Sequence, residues 1–472
     1  MTETIFTHDY QSTPYWWQRT PRPSQCGDAP PQSADVVVIG SGYTGLSAAI
    51  QTARGGRRTV VVDSEAAGWG CSSRNGGQVS PSIKPPYHLL AKRLGAPAAT
   101  RILREGNNAL AWIEAFIADH DIACDYRKVG RFHGAHSPAA FAQLRRAIAA
   151  LPSELGIDAY PLARTDQHSE VASDLYHGGV IYPHHACIDP ARYHRGLLEC
   201  AQAAGCEIIS HCRVDSIQRR GGTTFSGGAR HDNTERDGAS RGSAIRNTTR
   251  NNLEVRTTKG SIVARDVIVA TSGYTGGITP WQRRRIIPVG TYVIATEPLP
   301  SGTLERLLPR NRVVTDTRRM VMYYRACPER RRLLFGGRVC LRETDPRRSA
   351  PRLRRQMLRL FPELEAARIS HSWMGFVGFT FDQLPHSGAR DGLHYSLGYC
   401  GSGISLSSYL GMKTGLKVLG DPGGATALDP LRFPARPYYR RTPWFLAPAL
   451  LYYRWRDEME SARAGRRCIR AD

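Results

Sequence analysis

Residues 34–63 read ADVVVIGSGYTGLSAAIQTARGGRRTVVVD, and this stretch decides the fold. Asp35 to Ile39 form an apolar run of strand length, which delivers the chain into Gly40-Ser41-Gly42-Tyr43-Thr44-Gly45, a match to GxGxxG. Gly40 permits the tight turn, Gly42 lets a pyrophosphate approach the backbone, and Gly45 lets the following helix pack closely on the sheet. That helix opens at Tyr43 and Thr44 with N–H groups free to face phosphate. Leu46, Ala49, Ile50 and Ala53 recur at helical spacing, Gly55-Gly56 stops the helix, and Thr59 to Val62 read as a second strand. Asp63 follows about 20 residues past the glycines, where a carboxylate holds ribose hydroxyls. Strand, turn, helix, strand and acid together predict an α/β fold with a Rossmann-type dinucleotide-binding domain.

The 472 residues are enough for two or more domains. Lys and Arg number 64 against 41 Asp and Glu, a formal charge of +23. Such a surplus can steer anionic substrates, nucleic acid or acidic membrane. Here the arginines are scattered and no basic run accompanies a nucleic-acid motif, so they are expected on solvated faces with no nucleic-acid partner. Eleven cysteines show no CxxC spacing, which predicts buried thiols in a reducing compartment and no metal site. No apolar run approaches the ~18 residues of a membrane span and no signal-peptide pattern opens the chain, so a cytoplasmic protein without a transmembrane segment is expected.

Residues 1–33 form an aromatic, Pro-rich arm, and Tyr15, Trp16 and Trp17 are expected to anchor it on the body. After Asp63 the stretch Ser64 to Ser82, SEAAGWGCSSRNGGQVSPS, has the Gly, Ser and Asn density of a loop. It is suited to laying backbone and hydroxyls along a cofactor, with Arg74 and Asn75 as directional donors.

GWGCSSRNGG after the dinucleotide motif resembles the GWGxSxRNGG loop of the FAD-dependent oxidoreductases of the D-amino-acid oxidase superfamily. It looks most like the branch typified by gamma-glutamylputrescine oxidase. The resemblance implies a glutathione-reductase-like FAD domain and a second α+β substrate domain with a mixed or antiparallel sheet. It also implies FAD contacts from Ser64, Trp69, Gly70 and Ser72, with Arg74, Asn75, Gly76 and Gly77 near the isoalloxazine. Ser73 stands where the branch often has Gly.

Residues 86–118 and 138–150 have helical periodicity, and Asp121 to His133 alternate as a strand would. Asp189 can cap a helix that starts at Pro190 and closes at Gly205. Strands are expected at Glu207–Ile209 and Arg213–Ile217, and the resemblance gives Val214 a main-chain contact to adenine. Residues 219–252 are low in apolar content and read as a disordered insertion in a hairpin. Ala270, Thr271 and Gly273 in ATSGYTG match the family's turn against the FAD phosphates, with Ser272 in place of Asn. A second sheet starts between Arg283 and Glu297, and Tyr323 and Tyr324 must point to opposite faces of one of its strands.

Trp373 to Gly388 match the superfamily's return strand into the FAD domain. Val377 stands where amino-acid oxidases of the family carry the Arg that clamps the substrate's alpha-carboxylate, which counts against simple alpha-amino acids as substrates. In LGYCGSGISLSSYLG the resemblance places Gly401, Ser402, Gly403 and Ile404 at flavin N1 and C2=O, where a helix N-terminus stabilises the charge of reduction. Ser402 replaces the family's usual His. No Cys or His stands plainly at a tethering position, so FAD is expected to be noncovalent.

The expected domains are an arm (1–33), an FAD domain in three parts (34–90, 186–285, 370–425), a substrate domain in two (91–185, 286–369) and a tail (426–472). The tail, apolar and Arg-flanked from Pro443 to Trp455, is expected to pack on the body or form a subunit interface in a homo-oligomer. The expected activity is oxidation of a C–N bond in a small-molecule amine, with O2 or an electron carrier as acceptor. Tyr182, His184 and His185 resemble the stretch lining the substrate side, either His being a candidate proton acceptor, and Arg318, Arg319 and Arg325 are candidates for a distal carboxylate. Two alternatives are a dehydrogenase feeding a quinone or carrier protein, and a basic binding protein that keeps FAD for structure only.

Overall fold

The computed structural model describes residues 5–23, 27, 29–220, 253–337, 344–439 and 442–468, with side chains to 460. The 219–252 stretch lies outside the described residues from 221 onward.

Two large sheets organise the chain. The first runs, in spatial order, 214–219, 253–257, 260–269, 33–39, 59–62 and 207–209, with 386–390 and 393–397 joined at the 260–269 strand. Its centre is parallel: Val38 lies opposite Val61 and Ile268, and Val61 opposite Ile208. A parallel centre is covered on both faces, and this explains why Val36, Val37 and Val38 are all fully buried. Val36 and Val38 pack with Leu46, Ile50 and Leu197 on the helix side. Val37 and Ile39 pack on the other side with Val214, Ile217 and Val255 from the antiparallel hairpin.

The expected helix forms over Tyr43–Arg54, but it is buried on more than one face. The Gly403–Leu419 helix lies directly against it. A Cβ on Gly411 would come within 2.4 Å of the Thr44 carbonyl, and one on Gly415 within 2.6 Å of Ala48 O. Bare backbone therefore meets bare backbone, and Ala48 and Thr52 are buried although they fall outside the apolar stripe.

The second sheet has nine strands in the order 6–11, 369–379, 287–296, 333–337, 322–326, 313–316, 131–134, 179–182 and 160–162. Two expectations need correction here. Only Arg131–Gly134 of the Asp121–His133 segment is a strand. Ile369–Phe379 belongs to this second sheet, held antiparallel to Ile287–Thr296 along nearly its whole length, and the chain returns to the first sheet only through His386–Arg390 and Leu393–Leu397. The alternation of residues through 379 reads equally well for either sheet, and only the long pairing partner decides it.

One face of this sheet packs Tyr292, Ile294, Tyr324 and Phe335 against Leu353 and Met357 of the Pro346–Leu360 helix. The opposite face carries Val293, Trp373 and Leu334, which close over Tyr15 and Trp16 of the arm. The arm's first strand, Phe6–Gln11, pairs parallel with Ile369–Phe379. At the far end of the chain, Asp457 of the Leu446–Cys468 helix accepts from the Arg319 and Met320 amides at 3.1 and 2.9 Å.

Candidate active site

The glycine turn is built as its spacing predicts. Gly40 has φ +104°, a region where a side chain is strained, and a Cβ there would stand 3.0 Å from Ala270 O. A Cβ on Gly42 would come 2.9 Å from Ser72 Oγ. Ser72 Oγ in turn accepts from the Tyr43 amide at 3.0 Å, so the 64–82 loop reaches the helix's N-terminus and takes an N–H that was expected to be free for phosphate. Ala270 is tied beside the turn by its amide to Ile39 O (2.9 Å), and Thr271 follows with its hydroxyl 2.9 Å from that of Thr275.

Asp63 is partly committed. Its Oδ2 accepts from the Ser41 amide (2.8 Å) and hydroxyl (2.6 Å), and its Oδ1 from the Glu65 amide (3.0 Å). A carboxylate has about four acceptor sites, so room remains for a ribose hydroxyl. Ser64 beside it is exposed. Val214 is buried at the start of its strand, and Cys212, two residues earlier, donates its amide to Asp63 O at 2.6 Å.

The side chains of Arg74 and Asn75 do something different from the expectation. Arg74 donates from Nε to Trp69 O (2.7 Å) and from a terminal nitrogen to Met374 O (3.2 Å), while its guanidinium lies between the rings of Trp69 (4.1 Å) and Trp17 (4.6 Å). Asn75 donates to Cys71 O and Ser72 O at 3.1 and 3.0 Å and accepts from the Gly77 amide at 2.9 Å. Both side chains turn inward and fold the loop on itself, so what the loop offers outward is main chain and the glycines. Gly70 faces the Tyr274 ring, Gly76 the Tyr323 ring and Gly273 the Phe376 carbonyl, each too close for a free side chain.

The other end of the site is the start of the Gly403–Leu419 helix. Cys400 and Gly401 both have positive φ, +52° and +96°, and this tight turn leads through Ser402 into Gly403 and the buried Ile404. Ser402 makes no side-chain cap, so the first amides of the helix are not covered by its hydroxyl.

The three expected substrate-side residues separate. His184 faces solvent and pairs with Asp158 at 3.4 Å, so it is removed from any cavity. His185 is buried, stacks on Tyr182 with ring centroids 4.9 Å apart, and has no hydrogen-bond partner at Nδ1 among the described residues. Burial, reinforced by the charges of Arg131, His133 and His184, pushes its pKa down to about 2. Burial thus disfavours its protonated form, which counts against the expected role as proton acceptor.

The three candidate arginines are also engaged elsewhere. Arg318 pairs with the buried Asp316, Arg319 with Asp457 and Glu460, and Arg325 donates to Gly77 O and Ile188 O at 2.8 and 2.9 Å. None presents a free fork to a carboxylate.

The strand registers supply what the sequence pattern missed. Tyr323 lies opposite Thr315, Thr315 opposite His133, and Arg131 opposite Tyr182, so these side chains share the face that looks toward the 71–77 loop. Tyr324, on the other face, is core. Lys84, in the loop after Gln78–Val79, lies against the other helix start, with its Nζ 3.9 Å from where a Gly401 Cβ would be. The alternation of Arg131 and His133 was the available signal, but it indicates a shared face without saying what that face meets.

The donor set suits FAD. A helix opens from a turn that excludes side chains, Asp63 stands beside that turn bonded to Ser41, and the Thr44 hydroxyl, 2.7 Å from that of Tyr399, ties it to the turn before the second helix. Comparison with known proteins agrees. The chain matches the family model described as FAD dependent oxidoreductase (DAO) over residues 35–415. It is 29% identical over 434 residues to the "Probable oxidoreductase OrdL" of Rhizobium meliloti (strain 1021), covering 90% of this chain and 92% of that one. It is also 29% identical over 446 residues to the gamma-glutamylputrescine oxidoreductase of Escherichia coli (strain K12), covering 90% and 93%. The glycine oxidase of Geobacillus kaustophilus superposes with a TM-score of 0.65 at 18% identity, covering 86% of this chain and all of that one, a likeness of fold. This chain belongs to the DAO family of FAD-dependent oxidoreductases.

Proposed function

We propose that this enzyme oxidises a C–N bond in an amine that enters between the 71–77 loop and the sheet face bearing Tyr323, Arg131 and His133. The reading is supported above all by the glycine turn at 40–45, closed to side chains and opening a helix, together with the family match over residues 35–415. Likeness to a gamma-glutamylputrescine oxidoreductase along nine-tenths of the chain points the same way. Being an oxidoreductase, the chain is catalytic, and the reading as a structural flavin carrier falls away.

When bound, FAD would supply the two-electron acceptor for oxidation of the C–N bond, and the imine product would take water to give an aldehyde and a smaller amine or ammonia. The chain's own part is orientation and shielding. The Gly40–Gly45 turn and Ser72 would hold the pyrophosphate, Asp63 would share a ribose hydroxyl, and the Gly401–Ile404 amides would stabilise negative charge on the reduced flavin. Tyr182, Tyr323 and neutral His185 wall the substrate.

The test is anaerobic mixing of the FAD-loaded enzyme with a panel of amines, N-methyl amino acids and gamma-glutamyl amines. Bleaching of the flavin bands by an amine bears the proposal out, and a panel without effect speaks against it. Oxygen uptake with the active amine then distinguishes O2 from a carrier as acceptor.

A further inference from the structure

The Leu446–Cys468 helix turns an apolar side away from the body. Six of the eight large apolar side chains exposed among the described residues fall between Tyr438 and Trp455. Single exposed apolar residues are ordinary on a protein surface, but a concentration of this kind marks a place of contact. Within the helix, Pro448, Leu451, Tyr452 and Trp455 are all exposed and follow the i, i+3, i+4, i+7 spacing of one face. The Tyr452 and Trp455 rings lie 6.0 Å apart. Just before the helix, the exposed Trp444 and Tyr438 rings meet at 6.4 Å and extend the same apolar surface. The side toward the body is held largely by charge. Buried Asp457 accepts from the Arg319 and Met320 amides, and Glu460 pairs with Arg319 and with His136. A helix packed for stability alone does the reverse, with its apolar stripe inward and its charges in water.

Positive charge surrounds this surface. The chain carries +23 overall, and from Arg436 to its end nine arginines stand against four acids. Two of those acids, Asp457 and Glu460, are engaged with Arg319, which leaves Glu458 as the one exposed acid on the described part of the helix. By helical spacing Arg454 and Arg456 fall on the two borders of the apolar face, and Arg456 donates to the Tyr452 hydroxyl at 3.1 Å. Beside Tyr438, the Arg436 guanidinium lies over the Phe381 ring at 5.9 Å, and that ring meets Tyr438 at 6.4 Å. An aromatic patch thus has a cationic rim.

We propose that this face lies on the surface of an anionic lipid bilayer, with Trp444, Leu451, Tyr452 and Trp455 at the headgroup boundary and the arginines against lipid phosphates. Rings with one apolar and one polar end settle at such a boundary, and arginine stems run beside them while the charge stays with the headgroups. Among the described residues no helix is long and apolar enough to cross a membrane, so this one lies along the surface. A second copy of the chain fits the face less well. Half-exposed, the Tyr438, Trp444, Tyr452 and Trp455 rings offer roughly 100 Å² each, about half of the ~800 Å² per partner that a stable interface buries. A twofold pair would also set two chains of +23 rim to rim.

The test is flotation of the FAD-loaded enzyme with vesicles of equimolar phosphatidylglycerol and phosphatidylcholine, and with vesicles of phosphatidylcholine alone, beside size-exclusion chromatography. Binding to the anionic vesicles at least about tenfold tighter than to the neutral ones is expected, weakening as salt is raised. Tryptophan emission should shift to the blue as Trp444 and Trp455 leave water. Leu451→Ser combined with Trp455→Ser should lower anionic-vesicle binding at least about tenfold at an unchanged melting temperature, since both side chains are exposed. Trp444→Ser combined with Tyr452→Ser reads the same face independently, should the first pair fold poorly. An enzyme that floats with neither vesicle, or one whose flotation neither pair weakens, overturns the proposal. So does a dimer that these variants dissolve in an enzyme indifferent to vesicles, which would give the face to a second copy. Neither result depends on which amine is oxidised.

Discussion

A Cβ placed on Gly45 would stand 1.9 Å from the carbonyl oxygen of Gly40, closer than any real pair of such atoms, so the helix and the turn preceding it touch through backbone alone. Gly45→Ala must push the helix off the sheet or open the turn. The expected result is protein purified without yellow colour and with a lower melting temperature. Gly276→Ala, where nothing lies within 4 Å, is the matched control and should keep both within about 0.5 kcal/mol of the parent.

The arm acts as a clasp on the flavin loop. Trp16 Nε1 donates to Asn75 O (2.9 Å), Trp17 Nε1 to Ser73 Oγ (2.8 Å), and Arg22 to Ala66 O (2.7 Å). Trp16 is fully buried, so Trp16→Ala should cost about 3–5 kcal/mol. Trp17→Ala should leave the core standing but free one side of Arg74, and is expected to raise the rate at which flavin fluorescence appears on mild heating.

Arg318→Ala separates a structural from a binding role. It strands the fully buried Asp316 without its cation, a loss of about 3–5 kcal/mol. The melting temperature should fall while KM for the active amine stays within about twofold. A raised KM with unchanged melting would restore Arg318 to the substrate.

Four histidines set an acid limit. His133, His185, His194 and His371 are held neutral by burial, with pKa values lowered to about 3, 2, 4 and 4. In the unfolded chain each takes a proton near pH 6.5, so between there and its folded value the unfolded state binds more protons and stability rises with pH. Acidification from pH 6.5 toward 4 should therefore weaken the fold, by on the order of 1 kcal/mol per pH unit for each. Denaturant midpoints at pH 7 and 5 check the sign, and His194→Gln, which can keep a bond to Ser41 O, should flatten the slope.

What was legible in the sequence is what the chain settles locally. The 34–63 unit, the Asp189 cap and the Gly205 stop depend on neighbours a few residues away, and the structure has them in place, whereas the single periodic stretch expected over 86–118 is divided at Gly95 into Tyr87–Leu94 and Ala96–Asp119. Arg74 and Asn75 show the limit. Their donors are visible in the sequence, but whether they point outward depends on Trp17 and Met374, far along the chain. Arg131 and His133 were half legible: their alternation puts them on one face, but that this face also carries Tyr323 requires a strand at 131–134 to pair in parallel with one at 313–316.

Finally, the interleaving of the two sheets bears on how the protein is made. The strand at 6–11 waits for its partner at 369–379, and the strand at 33–39 lies beside 260–269, itself paired with 393–397. Neither sheet can close while the ribosome holds the last quarter of the message. Long-range pairing of this kind is slow and leaves edges exposed meanwhile. Flavin capture must accordingly be a late event, and nascent chains stalled before residue 400 should remain colourless and lean on chaperones.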